Sequence, residues 1–298
     1  MRAFLTGASG FVGRWLADHL EASGDSVQVL AEGVDVADAA AVRAALHSVE
    51  PDVVYHLAAL THVGRSWDQP EETFRVNVLG TLQLLEAART AQRPPRVLLV
   101  SSAEVYGATG DGPVGETAPL KPVSPYAASK VAAEYLGVQA HAGRGLEVVR
   151  ARPFNHVGPG QADCFVVSAL ARRVVEAEGG DGVVRVGNLS AARDLTDVRD
   201  VARAYRLLAL DGVPGEAYNV CSGVALPVAE VFRRLAALAR SKVVTRVDPE
   251  LVRPVDVPVL VGDAGKLRAT TGWVPEIGLD TTLADVLAYW RSRLGGSG

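Results

Sequence analysis

Short apolar runs alternate along the chain with longer stretches in which apolar positions recur every three or four residues. Consecutive apolar positions suit strands buried on both faces, and the wider spacing suits helices with one buried side. The pattern predicts strands over 3–5, 27–30, 53–57, 96–101 and 146–151. Helices are predicted over 11–22, 37–48, 71–90 and 126–141. Strands rich in Val and Leu, joined by helices, define an α/β chain built on a doubly wound parallel sheet.

The second half is less regular. Helices are expected over 164–177, 198–210, 228–239 and 281–293, with strands over 183–186 and 217–220. Three prolines between Pro249 and Pro258 predict a loop there. No repeat or low-complexity linker divides the chain. The expected organisation is a sheet domain over 1–160, to which 185–222 returns, carrying a smaller α/β region made of 161–184 and 223–294. Residues 295–298, Gly-Gly-Ser-Gly, are expected to form a tail without ordered structure.

Composition changes this picture little. Of 298 residues, 48% are hydrophobic and 21% charged, ordinary proportions for a globular chain with a sizeable core. A net charge of −4 argues against a nucleic-acid or anionic-membrane surface, though a local basic pocket remains open. Cys164 and Cys221 lack metal-ligand spacing and are expected to be buried, reduced thiols. No apolar run reaches the ~18 residues that span a bilayer. The first strand runs straight into a glycine motif instead of a signal peptide, so a cytoplasmic protein is expected.

That motif is Thr6-Gly7-Ala8-Ser9-Gly10-Phe11-Val12-Gly13, between the first strand and the first helix. Gly7 allows the tight exit, Gly10 lets a pyrophosphate approach the backbone, and Gly13 lets the helix pack closely. The helix N-terminus supplies amides and the positive end of its dipole. After the second strand stands Glu32, able to accept from both hydroxyls of an adenosine ribose and to repel a 2′-phosphate. A solvated loop glutamate is the alternative. With no arginine following that strand, the pattern leans to NAD over NADP. Asp35 and Val36 stand where a short third strand would contact the adenine.

Tyr126-Ala127-Ala128-Ser129-Lys130 opens a helix after Ser124-Pro125. Residues four apart share a helical face, so the phenol and the ammonium point the same way. A nearby ammonium is expected to lower the tyrosine pKa, making Tyr126 a general acid for a carbonyl or a general base for an alcohol. Ser101-Ser102-Ala103-Glu104-Val105-Tyr106-Gly107 follows the fourth strand, at the edge where such sheets bind ligands. Ser102 can hydrogen-bond the substrate oxygen. Asn77 could support Lys130 through a water, or could be a buried structural asparagine.

In these blocks the chain resembles the extended short-chain dehydrogenase/reductase family, in its nucleotide-sugar branch. The matching segments are TGASGFVG, YHLAA, VNVLGT, SSAEVYG, SPYAASK, ARPFNHVGPGQ, VGNLSAARDLTDVRD, GEAYNVCSG and RPVDVPVLVGDAGKLRATTGW, which span nearly the whole chain. The resemblance implies a catalytic set of Ser102, Tyr126 and Lys130. It implies an NAD(P)(H) site in the 1–160 domain, built from Gly7, Ser9, Gly10, Phe11, Val12, Gly13, Glu32, Asp35, Val36, Leu57, Ala58, Ala59, Asn77, Pro153, Tyr126 and Lys130. A nucleotide sugar would be held by Ser102, Glu104 and Asn155, with Arg193 and Arg253 clamping its diphosphate. Within the branch, the wording is most similar to reductases of GDP-4-keto-6-deoxy-D-mannose, which form GDP-D-rhamnose. GDP-mannose 4,6-dehydratases, in which the residue matching Glu104 abstracts the C5 proton, and nucleotide-sugar 4-epimerases are the alternatives. The short chain and the absence of the arginine-bearing insertion after the NVLGT helix favour the reductase. A cofactor-binding regulator without chemistry is a remote alternative. The resemblance also implies a homodimer in which helices 71–90 and 126–141 pair with their symmetry mates, helped by Ala127, Ala128, Ala132 and Ala133.

Overall fold

A computed structural model of the protein describes residues 1–110, 112–251 and 258–295. From the N-terminus run β1 (Arg2–Thr6), α1 (Phe11–Ala22), β2 (Ser26–Val29), α2 (Ala39–Val49) and β3 (Val53–His56). Three helical pieces follow: α3 (Val63–Asp68), α4 (Pro70–Phe74) and α5 (Gly80–Arg89), the last two joined by a π-helical turn over Arg75–Leu79. Next come β4 (Arg96–Val100), a 3-10 turn over Ala103–Tyr106, α6 (Pro125–Arg144) and β5 (Val148–Pro153). The second half contains β6 (Asn155–Val157), α7 (Val166–Glu178), β7 (Val183–Val186), β8 (Ala192–Asp197), α8 (Val198–Asp211) and β9 (Ala217–Val220). It ends with β10 (Ala225–Pro227), α9 (Val228–Ala237), β11 (Val244–Val247), β12 (Val259–Leu260), α10 (Gly265–Thr271) and α11 (Leu279–Gly295).

Six parallel strands form the central sheet in the order β2-β1-β3-β4-β5-β9. The chain reverses direction across the sheet between β1 and β3, so a crevice opens beyond their carboxyl ends. One face packs on α1 and α8 through Leu16, Leu20, Val201, Tyr205 and Leu208. The other packs on α2, α5 and α6 through Val42, Leu46, Leu84, Leu85 and Ala140. A third core joins α7, α9 and α11 to β7 through Leu170, Val174, Val231, Leu235 and Leu283. Beside it, β8 pairs with β6, β10 and β12.

Local chemistry sets where helices start. Asp38 accepts from the amides of Ala40 and Ala41 at the head of α2. Ser124 accepts from the Ala127 amide, with Pro125 in the first turn of α6.

The expected helix over 71–90 is present as one continuous helical run from Pro70 to Arg89, with the π turn inside it. Pro70 starts α4, and the extra residue in the π turn brings the amide of Asn77 inward, where its Nδ2 donates to the Leu60 carbonyl and to Ser129 Oγ. Strand β8 escaped the hydrophobic pattern because it carries Arg193, Asp194, Thr196 and Asp197. Asp194 is buried there because the amides of Ser222, Gly223 and Gly262 donate to its carboxylate. Asp35 and Val36 lie in a turn instead of a strand. Gly295 closes α11, while the rest of the expected tail, 296–298, lies outside the described residues.

Candidate functional site

At the carboxyl edge of β1 the backbone turns at Gly7, with φ +73°, and the amide of Gly10 closes the turn on the Gly7 carbonyl at 3.1 Å. A Cβ on Gly7 would stand 2.7 Å from the Ala58 amide nitrogen, and one on Gly13 would stand 2.2 Å from the Gly7 carbonyl. Any side chain would fill this cradle. Over it lies a cavity of about 450 Å³ whose wall includes Gly7, Ser9, Gly10, Phe11, Val12, Gly13, Leu57, Ala58, Ala59, Ser102, Glu104, Tyr126, Lys130 and Pro153. The bare backbone at a helix N-terminus fits the pyrophosphate of a nicotinamide dinucleotide.

Four further residues expected at the cofactor are not in the wall of this cavity. Glu32 is exposed, and Asp35 is engaged by Arg75 at 2.5 Å and by the amide of Ala37 at 2.9 Å. Val36 is buried under α5, where a Cβ on Gly80 would meet its Cγ1 at 2.5 Å. Asn77 is buried with its side chain on Leu60 and Ser129, so it supports the helix of Tyr126 instead of reaching Lys130 directly.

The edge of β1 is tied to that region through a buried imidazole. The Ala58 amide donates to Thr6 Oγ1, and Thr6 lies 2.8 Å from His56 Nδ1. His56 Nε2 lies 3.0 Å from Thr81 Oγ1, whose hydroxyl donates to the Asn77 carbonyl. Thr81 has spent its proton, so His56 carries its own on Nε2 and accepts from Thr6 at Nδ1. Burial, with the Lys130 charge behind it, pushes the His56 pKa down to about 3 and keeps the ring neutral.

Tyr126 and Lys130 meet on one face of α6, as their spacing requires. Burial pushes the phenol up to about 12, against the opposing hydrogen bond from Ser102, and the Glu104 charge adds to the rise. This corrects the expectation that Lys130 lowers it. Lys130 is itself buried, its Nζ donating to the Val100 carbonyl at 2.8 Å, and burial lowers its pKa to about 8 despite the attraction of Glu134. The site therefore holds a protonated phenol and, on the same helix face, a lysine whose pKa is lowered to about 8. Ser102 also accepts from the Glu104 amide at 3.2 Å, which sets the Glu104 backbone against Ser102.

Beneath these residues, Glu134 is fully buried. Ser101 donates to it at 2.5 Å, Arg152 grips both of its oxygens at 2.7–3.1 Å, and Arg150 reaches it at 3.3 Å. Arg152 also donates to the Tyr106 hydroxyl, which donates in turn to Asn219 at 2.7 Å. Strands β4, β5 and β9 and helix α6 are thus locked together directly under the cavity.

A second cavity, about 510 Å³, adjoins the first and is bounded by Asn155, Arg173, Asn188, Arg193 and Glu250 among others. Asn155 and Glu104 belong to both walls. Arg193 stands on β8 with Nη1 donating to the Ala192 carbonyl at 2.9 Å. Arg253, expected as the second diphosphate clamp, lies outside the described residues. The expectation of two buried thiols holds only for Cys221, because Cys164 is exposed and belongs to both walls.

Sequence reasoning missed His156, Gln161 and Phe165, which also belong to both walls. The His156 ring stacks on Phe11 of the glycine turn, 6.0 Å between centroids and 15° between planes. The signal was present, since His156 and Gln161 follow Asn155 in the PFNHVGPGQ block. No periodicity separates such residues from an ordinary loop.

Comparison with known proteins agrees with this architecture. Residues 26–286 match a family model described as GDP-mannose 4,6 dehydratase. The chain is 37% identical to a GDP-6-deoxy-D-mannose reductase of Pseudomonas aeruginosa, over 98% of both chains. It is 27% identical to a GDP-mannose 4,6-dehydratase of Vibrio cholerae, over 96% of this chain and 92% of that one. A structure of RMD from Pseudomonas aeruginosa complexed with NADPH superimposes with a TM-score of 0.91 at 35% identity, covering 98% and 99% of the two chains. A UDP-glucose 4-epimerase of Thermus thermophilus in complex with NAD superimposes with a TM-score of 0.88 at 32% identity, again over 98% and 99%. With its glycine cradle, its Tyr126–Lys130 helix face and this match over 26–286, the chain belongs to the GDP-mannose 4,6-dehydratase family, in the nucleotide-sugar branch of the extended short-chain dehydrogenase/reductases.

Proposed function

We propose that the protein reduces the C4 keto group of a 4-keto-6-deoxy nucleotide sugar, GDP-4-keto-6-deoxy-D-mannose, to the C4 alcohol of GDP-D-rhamnose. The observation that carries this reading is the buried phenol of Tyr126, hydrogen-bonded to Ser102 in the wall of the cavity over the glycine turn, which Lys130 also lines. A carbonyl being reduced needs a proton donor at its oxygen, and a phenol protonated at neutral pH is one. The 37% identity to a GDP-6-deoxy-D-mannose reductase along almost the whole chain supports the same substrate.

In this reading a bound NADH or NADPH supplies the hydride. Tyr126 Oη gives its proton to the C4 oxygen, and Ser102 Oγ steadies that oxygen as it gains charge. Lys130, anchored to the Val100 carbonyl at 2.8 Å, orients the nicotinamide ribose. Gly7, Gly10 and Gly13 hold the pyrophosphate; Asn155 and Arg193 hold the sugar-nucleotide phosphates. A preference for NADH rests on Glu32 and on Arg75, whose guanidinium is already paired with Asp35 and Glu72. The protein acts as a cytoplasmic homodimer through α4, α5 and α6. In support, Phe74, Leu79, Leu82 and Tyr135 are exposed on those elements and the turn between them.

The test is to mix the protein with GDP-4-keto-6-deoxy-D-mannose and NADH or NADPH and follow loss of reduced-cofactor absorbance. Stoichiometric oxidation with formation of GDP-D-rhamnose is expected, and no oxidation with either cofactor would refute the reading. Dehydration of GDP-mannose is the second reading. It is favoured by Glu104, a carboxylate between the two cavities, although Ala103 offers no acid beside Ser102. A 4-keto product from GDP-mannose with catalytic NAD(P)+, suppressed by Glu104→Gln, would establish it instead.

A further inference from the structure

Apolar side chains scattered singly over a surface need no explanation, but two of them here line a cavity. Trp67 is 59% exposed and Val123 45%. Among the described residues they are the exposed large apolar side chains that also belong to a cavity wall. Both stand in the wall of the second cavity, together with Glu104 and Asn155.

Both are fixed beside the head of α6. Ser66 is buried, donates from Oγ to the Val63 carbonyl at 2.6 Å and accepts from the Tyr126 amide at 3.2 Å. Trp67 follows it directly, so α3 is pinned to the turn that carries Tyr126. Val123 precedes the cap residue Ser124, and the Lys121 amide donates to the Val105 carbonyl at 2.9 Å, which docks that segment on the turn of Glu104. His62 and Val63, at the start of α3, belong to both walls. Trp67 is thereby joined to the part of the second cavity that opens on Tyr126. Asn188 and Glu250 come from segments that contribute nothing to the first cavity's wall among the described residues. A nucleotide sugar with its hexose at Tyr126 and its nucleotide towards Asn188 brings the sugar, and not the base, to Trp67.

A hexose ring is amphipathic. Its hydroxyls need polar partners such as Glu104 and Asn155, while its C–H groups form an apolar face. An indole offers a flat apolar surface to that face, and the contact takes out of water area that the free protein leaves wet. We propose that the indole of Trp67 packs against the C–H face of the hexose, with Val123 beside it, and so holds the sugar at Tyr126. The inference rests on a nucleotide sugar occupying the paired cavities in the sense of the proposed reduction. Trp67 is a positioning residue that favours the glycosylated nucleotide over the bare one, and it takes no part in proton or hydride transfer.

Calorimetric titration with GDP and GDP-mannose in the presence of NADH or NADPH tests this contact. GDP-mannose carries no keto group to reduce, and the reduced cofactor cannot oxidise it, so binding is read without turnover. Trp67→Ser is expected to bind GDP-mannose about tenfold more weakly than the wild type and GDP within about twofold, the scale of one ring face left in water. Trp67→Phe keeps a ring face and should stay within about threefold of the wild type for both ligands. The position is exposed, so both variants should fold as the wild type does. Binding of GDP-mannose to Trp67→Ser within about twofold of the wild type would overturn the proposal. An equal loss with GDP would also overturn it, by placing Trp67 at the nucleotide or in a purely structural role, and so would a Trp67→Phe variant as weak as Trp67→Ser. The expected losses without turnover of the 4-keto sugar would refute the reductase and leave the Trp67 contact standing. Turnover with unchanged affinity in Trp67→Ser would do the reverse. Binding of UDP-glucose in place of GDP-mannose would refute only the base, and the same comparison is then made between UDP and UDP-glucose. If neither sugar nucleotide binds, the proposal and the reductase reading fall together.

Discussion

Tyr126 and Lys130 show burial outweighing charge at the scale of single residues. Four positions apart on one face, they were expected to stabilise a phenolate between them. In the folded chain the phenol loses its water and rises to about 12, while the ammonium falls to about 8 for the same reason. A phenol that stays protonated is the form that reduction consumes. Tyr126→Phe is therefore expected to lower the reduction rate at least ~100-fold while leaving cofactor affinity within about twofold, since only a transferable proton is lost. Retention of more than about a tenth of the wild-type rate would rule Tyr126 out as the acid. The charge of Lys130 is present below its pKa and lost above it. The rate of reduction should accordingly decline as pH rises through about 8, well below the ordinary lysine value of 10.5. In Lys130→Met this limb should vanish from the pH profile of the residual activity, and cofactor binding should weaken. A wild-type profile flat up to pH ~10 would contradict Lys130 as the titrating group.

Among the elements, the β1–α1 turn is the most tightly specified. Gly13 brings the first turn of α1 against the Gly7 carbonyl, at a distance that leaves no room for a Cβ. Gly13→Ala should push the helix N-terminus off the cradle, costing about 1–3 kcal/mol of stability by overpacking. Cofactor affinity should drop at least about tenfold in a fluorescence titration. Unchanged affinity would show that the helix terminus does not hold the pyrophosphate. The π turn teaches the opposite lesson. Nothing in the period of 71–90 signals the π turn, because the turn is stabilised from outside, by the Leu60 backbone and Ser129 bonding to the Asn77 side chain. The same holds for β8, whose polar residues read as loop until the Asp194 carboxylate meets three backbone amides from other segments.

Across the whole molecule, α4, α5 and α6 leave part of their outer surface unused. On α6, Ala127 and Ala133 are buried within the subunit, so these two do not face a partner as expected. Ala128, Ala132 and Tyr135 occupy the outer side instead, near the exposed Leu79 and Leu82. A homodimer through this surface should give twice the chain mass by light scattering at micromolar concentration. Tyr135→Glu should shift it towards monomer, because a carboxylate at the centre of such a patch would be desolvated without a partner. A wild-type protein that runs as a monomer would contradict the dimer.

The chain's own order of residues determined the parallel α/β sheet, the glycine turn and the Tyr126–Lys130 pair. Each of these depends on local spacing: apolar runs for the strands, glycines where a Cβ cannot fit, and four residues along one helix face. Only the tertiary structure decided the protonation of Tyr126, the engagement of Asp35 by Arg75, the burial of Glu134 between two arginines, and the meeting of Gln161 with the cofactor cavity. Those outcomes depend on desolvation and on partners distant in sequence. Arg75 lies 40 residues from Asp35, and Tyr106 lies 113 from Asn219. Burial and long-range pairing are properties of the packed chain, so no window of sequence contains them.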